Sequence, residues 1–281
     1  MVYLLTLVLK PRNKPYTRPL APIMKKILLT ILFIAISSKL LACTCMSQRL
    51  LDRYAKSEFV ATLSVLSVDS ETDDDYLLLD IEIIELYKGN KTNLLKIRKS
   101  KGSGCPMYSP ENTKWLIFAS KDQNGNLIFG KCSGPKQLDR TFDKERFPNA
   151  EFNYSKSLER KLELLETLKE EKIEPINTYD LYTSFKEESL EKLKGHEIEN
   201  GNNAFYEIIV NEDLSLKDIR ILKEFNNEQL SNELIDFIKK NIYIGRIGKL
   251  KTIPEETKII LGLHYYSAEN ERKSLILPYA F

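Results

Sequence analysis

Four cysteines and two histidines are the side chains with the widest chemical reach in this 281-residue sequence. Cys43 and Cys45 flank Thr44, while Cys105 and Cys132 stand far downstream. Four thiols allow three pairings, and the sequence by itself does not choose among them. His196 and His264 are not spaced as a zinc motif, and no His-Glu-x-x-His occurs. His264 lies in an apolar stretch and reads as a partly buried residue. His196 lies beside the Gly201 loop and reads as solvated. The acidic run Asp73-Asp74-Asp75 lacks the spaced oxygen ligands of a calcium loop, so it reads as a solvated hairpin tip. In Lys101-Gly102-Ser103-Gly104 the lysine precedes the glycines and no Gly-Lys-Ser or Gly-Lys-Thr opens a helix. It reads as a turn beside a disulfide and not as a phosphate loop. Met46 and Met107 sit near cysteines and read as packing residues, and Trp115 as a core anchor. No catalytic residue, metal site or cofactor is expected.

The cysteine pair is positioned by what precedes it. Residues 27–36 are an apolar run of ten, with Lys25 and Lys26 in front. Such a run has the form of a signal-peptide core and is too short to span a bilayer. Met24 directly precedes the lysines and offers an alternative start to Met1. Cleavage after Ala42 releases Cys43 as the first residue. The segment Leu40-Leu41-Ala42-Cys43 also resembles the lipobox of bacterial lipoproteins. Lipid on Cys43 and a disulfide from Cys43 exclude each other. The expected location is extracytoplasmic in a bacterium: secreted, periplasmic or anchored to the outer membrane, with membrane contact only through a lipid. An oxidising compartment favours pairing of the cysteines and disfavours a thiolate nucleophile.

Residues 1–42 hold seven Lys or Arg and no acid; removing these seven from 42 bases leaves 35 against 40 acids. A mildly acidic exported chain is a poor nucleic-acid binder, because phosphate contacts need concentrated Lys and Arg. Hydrophobic content of 42% supports a packed core in each of two modest domains.

Patterning predicts a helical turn over 50–54, then strands over 58–68, 76–87, 94–98, 114–119 and 127–132. In the first, Val60, Leu63, Val65 and Val68 alternate imperfectly. In the second, Leu79, Ile81 and Ile83 oppose Asp80 and Glu82, as in a sheet wet on one side. Five strands suit a small closed barrel, since closure removes exposed edges. Residues 157–169 predict a helix with Leu158, Leu162, Leu165 and Leu168 as its stripe and Leu164 at the margin. Pro175 breaks the pattern, and a second helix is expected over 182–194. Strands then follow at 204–210 and 214–222, and a helix at 227–240 that Asn226 or Asn227 could cap. The last strands fall at 258–266 and 274–277, the second stopped by Pro278. The expectation is an all-β five-stranded OB-like barrel followed by a small α+β domain. Boundaries are expected at 1–42 for the extension and signal peptide and 43–145 for the barrel. A helical linker at 146–176 and an α+β domain at 177–281 complete the chain.

Several local patterns agree with one family. They are Cys43-Thr44-Cys45, residues 54–60, Leu86-Tyr87-Lys88-Gly89, Gly104-Cys105, residues 115–118, Gly125 and Cys132. Over residues 43–138 the chain resembles the netrin-like module of the tissue inhibitors of metalloproteinases, an OB-type barrel. The resemblance implies bonds Cys43–Cys105 and Cys45–Cys132. Ala55 stands where the family has its third cysteine. It also implies an inhibitory ridge of Cys43, Thr44 and Cys45. There the Cys43 amine and carbonyl would chelate the zinc of a protease, and Thr44 would enter its specificity pocket. Residues 203–266 show a weaker likeness to the C-terminal domain of energy-transducing TonB proteins. It is carried by residues 205–210, Glu212-Asp213, residues 217–222 and residues 237–241. That likeness implies contact with an envelope protein. The functional expectation is an exported, non-enzymatic, protein-binding or structural module acting on an unidentified envelope or extracellular protein. The alternative is a metalloproteinase inhibitor.

Overall fold

The computed structural model describes residues 45–46, 48–99, 106–198, 201–248, 251–269, 272–279 and 281. Its first element is helix α1 (Leu50–Lys56). Strands β1 (Phe59–Asp69), β2 (Tyr76–Lys88), β3 (Leu94–Arg98), β4 (Lys114–Lys121) and β5 (Leu127–Phe129) follow. They pair in the order β1-β2-β3-β5-β4, and β4 returns to β1, closing a five-stranded OB-like barrel. The β3–β5 pairing is parallel and the others are antiparallel. Three register shifts in β1–β2, beginning at Val60/Ala61, bend this long hairpin around the barrel.

Phe59, Ala61, Leu63 and Val65 point into the barrel against Leu79, Ile81, Leu95, Ile97, Trp115 and Ile117. Val60 faces outward and is nevertheless fully buried, in a second cluster with Leu116 and Phe118. Because the first half of β1 is covered on both faces, its sequence lacks a clean period of two. Trp115 is the core anchor expected, its indole N–H donating to Thr113 Oγ1 at 2.7 Å. Met107 packs against the barrel core, but Met46 is 86% exposed and packs nothing comparable.

A 3₁₀ turn (Lys131–Ser133) and the two-residue strand β6 (Lys136–Gln137) lead to helix α2 (Ala150–Glu170). This helix starts seven residues earlier than its leucine stripe suggests, directly after Asn149. Leu164, Leu165 and Leu168 are fully buried, and Leu162 only partly. Leu164 is therefore central and not marginal. The apolar arc is wide because α2 is covered from two sides, by barrel residues Val60, Tyr87 and Phe118 and by Phe205 of the C-terminal sheet.

The α+β region begins with β7 (Leu181–Phe185), the four-residue helix α3 (Glu187–Leu190) and a 3₁₀ turn (Glu191–Leu193). The helix expected over 182–194 is thus mostly absent. Residues 181–185 instead pair with β10 (Ile242–Arg246), a segment that local patterning leaves without structure. Strands β8 (Asn203–Val210) and β9 (Leu216–Lys223), helix α4 (Glu228–Asn241), β11 (Thr257–Tyr266) and β12 (Leu275–Tyr279) complete it. The antiparallel sheet runs β12-β11-β8-β9. Ala204, Tyr206, Ile208 and Val210 face α4 through Leu230, Leu234 and Ile238. Asn227 is the helix cap, its Oδ1 accepting the Leu230 N–H at 3.0 Å. Pro278 lies inside β12 opposite Leu263 and does not stop it. An edge strand tolerates the lost donor.

Candidate functional site

Cys45 and Cys132 are disulfide-bonded, with Cα atoms 5.1 Å apart and a sequence separation of 87. This is one of the two bonds expected. Cys132 occupies the 3₁₀ turn after β5, so the bond ties the first described residue to the end of the last barrel strand. Gly134 follows with φ of 71°, and a Cβ there would stand 2.4 Å from the Arg53 guanidinium. Glycine is needed at that contact, where Arg53 donates to the Gly134 carbonyl at 3.3 Å. Cys43, Thr44 and Cys105 lie outside the described residues. The Cys43–Cys105 bond, the ridge beyond Cys45, lipid attachment at Cys43 and the Gly102–Gly104 loop lie there with them. So do the apolar run 27–36 and its flanking lysines. Among the described residues no helix is long and apolar enough to cross a membrane.

A cleft of about 520 Å³ opens between the barrel helix and the C-terminal sheet. One wall is Arg49, Leu51 and Asp52 at the start of α1. A second is residues 173–177 and the first half of β7, and the far side is β11 with Pro278, Tyr279 and Phe281. The floor is apolar: Ile173, Leu181 and Leu261 are buried. Gly262 belongs to it because the Phe281 ring lies over its Cα, where a Cβ would come within 2.2 Å. Phe281 in turn meets Tyr279 and Phe205 edge-on, with ring centroids 4.9 and 5.7 Å apart.

The charges around the cleft are paired. Arg49 meets Asp52 at 3.2 Å and Asp180 at 3.7 Å. Glu174 takes the Lys88 ammonium at 2.9 Å, and the same ammonium donates to the Tyr54 carbonyl at the end of α1. Glu207 is the unusual group. It stands mid-strand in β8 with its side chain 5% exposed, held by Lys258 at 3.2 Å and Arg220 at 3.9 Å. An acid inside the apolar run Ala204-Phe-Tyr-Glu-Ile-Ile-Val210 was the visible sign that this face of the sheet meets something polar.

Neither histidine ring lines the cleft. His264 is buried, with Nδ1 2.7 Å from Asn203 Oδ1. The Asn203 amide donates to Glu163 of α2, whose other oxygen meets Lys223 at 2.6 Å. Burial first, and then Arg160, draws the His264 pKa down to about 4. The His264-Asn203-Glu163 chain is a tether between sheet and helix. His196 is only partly exposed. Its carbonyl accepts the Tyr265 hydroxyl at 3.1 Å, while its ring nitrogen lies 3.4 Å from the Lys192 carbonyl. Asp73 closes the β1–β2 turn by accepting the N–H groups of Asp75 and Tyr76 at 2.9 and 3.1 Å, which explains the acidic tip as turn chemistry.

No protein-family model matches the chain, and no curated protein matches it.

Proposed function

We propose that this chain is an exported, non-enzymatic binding protein of the bacterial envelope or its surroundings. On this reading a protein partner is held in the cleft between the barrel and the C-terminal sheet. The cleft carries the reading: an apolar floor with a rim of charges, built from five separate segments of the chain. Its ionisable groups are engaged with opposite charges, as Glu207 is with Lys258 and Arg220. A group that moves protons needs a free approach to substrate, and His264 is turned toward Asn203 instead. The Cys45–Cys132 bond supports export, since such bonds persist in oxidising compartments. A photo-crosslinking residue at Tyr182, 41% exposed beside the cleft, tests this in the native host. The expected result is a discrete protein adduct that Thr183→Arg, also in the cleft wall, reduces several-fold. Hydrolytic turnover by the purified protein that disappears in His264→Gln would contradict it.

The bond also supports the alternative of a metalloproteinase inhibitor, because it fixes Cys45 at the barrel end. There the Cys43 amine and carbonyl would donate to zinc and Thr44 would fill the pocket. Stoichiometric inhibition of a zinc protease by oxidised protein beginning at Cys43, lost on acetylating its amine, is the expected outcome. A diacylglyceryl group on Cys43 removes this alternative.

A further inference from the structure

We propose that the cleft holds its partner by a lysine side chain, whose ammonium docks on Oε1 of Glu207 while its aliphatic stem lies on the apolar floor. The proposal rests on the reading of the cleft as the seat of a protein partner, and it names the group that partner must present. Glu207 stands in β8, which is flanked by β11 on one side and β9 on the other. What it shows to the cleft is therefore its side chain and not its backbone. In the ladder it lies opposite Ile260 of β11 and Arg220 of β9, and cross-strand pairs share a face of the sheet. The carboxylate thus comes out on the face of Ile260. That residue packs in one hydrophobic cluster with Ile173 and Phe281, and all three line the cleft.

One of the two carboxylate oxygens is in use. Lys258 Nζ donates to Oε2 at 3.2 Å. Arg220 Nη1 stands 3.9 Å from the same oxygen, while its Nη2 is given to Glu171 at 2.5 Å. Among the described residues Oε1 has no hydrogen-bond or ion-pair partner. A side chain 5% exposed has given up nearly all its water, and an open carboxylate oxygen in that setting is costly until a donor fills it. The charge of the lining selects a cation. Asp52, Glu174, Glu207 and Glu256 line the cleft against Arg49 and Lys258, four acids to two bases. Lys88 and Lys217, which pair with Glu174 and Glu256, are not part of the lining. The single open oxygen selects the kind of cation. A guanidinium matches a carboxylate through both oxygens at once, and Oε2 is taken; an ammonium is a point charge that one oxygen can hold. A lysine also lays its methylenes along apolar surface while its head reaches the charge.

A magnetic-resonance titration of the oxidised, isotope-labelled protein tests this, with the Ile260 and Gly262 amides as reporters. The probes are lysine, arginine and norleucine, each N-acetylated and carried as the methylamide, so that they differ in the side chain alone. The proteins are the natural sequence, Glu207→Gln, Lys258→Met and, as control, Lys144→Met at an exposed lysine paired with Glu151. Capped lysine is expected to shift both amides and to bind roughly tenfold more tightly than norleucine and several-fold more tightly than arginine. Glu207→Gln should lower the lysine affinity about tenfold, with the control unchanged. Lys258→Met should raise it about two- to threefold, because a competitor for the carboxylate has gone. If Glu207 serves only to pair with Lys258 inside the fold, that gain does not occur, and its absence overturns the proposal. So does equal binding of norleucine, or no shift with lysine. The photo-adduct at Tyr182 separates this proposal from the reading beneath it. An adduct that Glu207→Gln leaves undiminished overturns the lysine contact and keeps the cleft as a protein site. No adduct even in the natural sequence overturns the protein partner, and with it the source assigned to the ammonium.

Discussion

His264 lies 2.7 Å from Asn203 Oδ1, and its neutral ring is the form the fold prefers. With a folded pKa of about 4 against about 6.5 unfolded, the unfolded chain binds the proton first as pH falls. Stability is therefore full above the unfolded value, drops between about pH 6.5 and 4, and levels off below. The charges facing the ring are Arg160 and Lys156, which oppose the proton, and Glu159, which favours it. Urea unfolding of the natural protein and of His264→Gln at pH 7 and pH 4 should differ in pH dependence by about 2–3 kcal/mol. Parallel profiles would contradict the assignment. Gly89 is a second residue whose role is local. Its φ is 93°, and a Cβ there would lie 2.3 Å from the Glu58 carbonyl oxygen, which belongs to backbone and cannot yield. Gly89→Ala should cost about 2–4 kcal/mol in urea unfolding, against about 1 kcal/mol for Gly125→Ala, where nothing stands within reach. The sequence marks Lys88-Gly89-Asn90 as a strand end, yet the carbonyl pressed on Gly89 comes from Glu58, just before β1, and leaves no local trace.

Elements with a strong period of their own were legible, and elements that exist only through a distant partner were not. β2 is readable because Leu79 and Ile81 face the core while Asp80 and Glu82 face water. β7 and β10 are short, and each owes its hydrogen bonds to the other across some sixty residues, as in Ile244↔Thr183. The helix expected over 182–194 overlaps β7 at residues 182–185, where the pairing with β10 wins over the local pattern. The disulfide is also an element-scale device. It closes a loop, between cysteines 87 positions apart, that holds α1 and every barrel strand. Replacing both partners by serine should destabilise the protein by about 2–4 kcal/mol, read as a lower urea midpoint with the slope nearly kept. An unchanged midpoint would show that the bond contributes little to the fold.

On the scale of the molecule, residues from Cys45 onward belong to one compact unit. One hydrophobic cluster runs from Tyr54 and Phe118 of the barrel through Leu164 and Leu168 of α2 to Phe205 of the sheet. Trp115 is the only tryptophan and sits in the barrel core, so its fluorescence reports the barrel alone. Hydrogen exchange of the β8 amides reports the sheet. The shared cluster predicts coincident urea midpoints from both probes, while two separated transitions would show that α2 does not couple them. The cleft is a whole-molecule feature too. Arg49, Leu181 and Leu261 meet in it. No window of sequence contains that set, which is why the barrel was legible in the sequence and the cleft was not.

The proposal of export begins with oxidised sulfur at the end of the last barrel strand. Protein isolated from its native host with free thiols blocked, then digested without reduction, gives the direct measurement. The account predicts a cross-linked peptide pair containing Cys45 and Cys132 that separates on reduction. Recovery of Cys45 and Cys132 as blocked free thiols, in separate peptides, would contradict it.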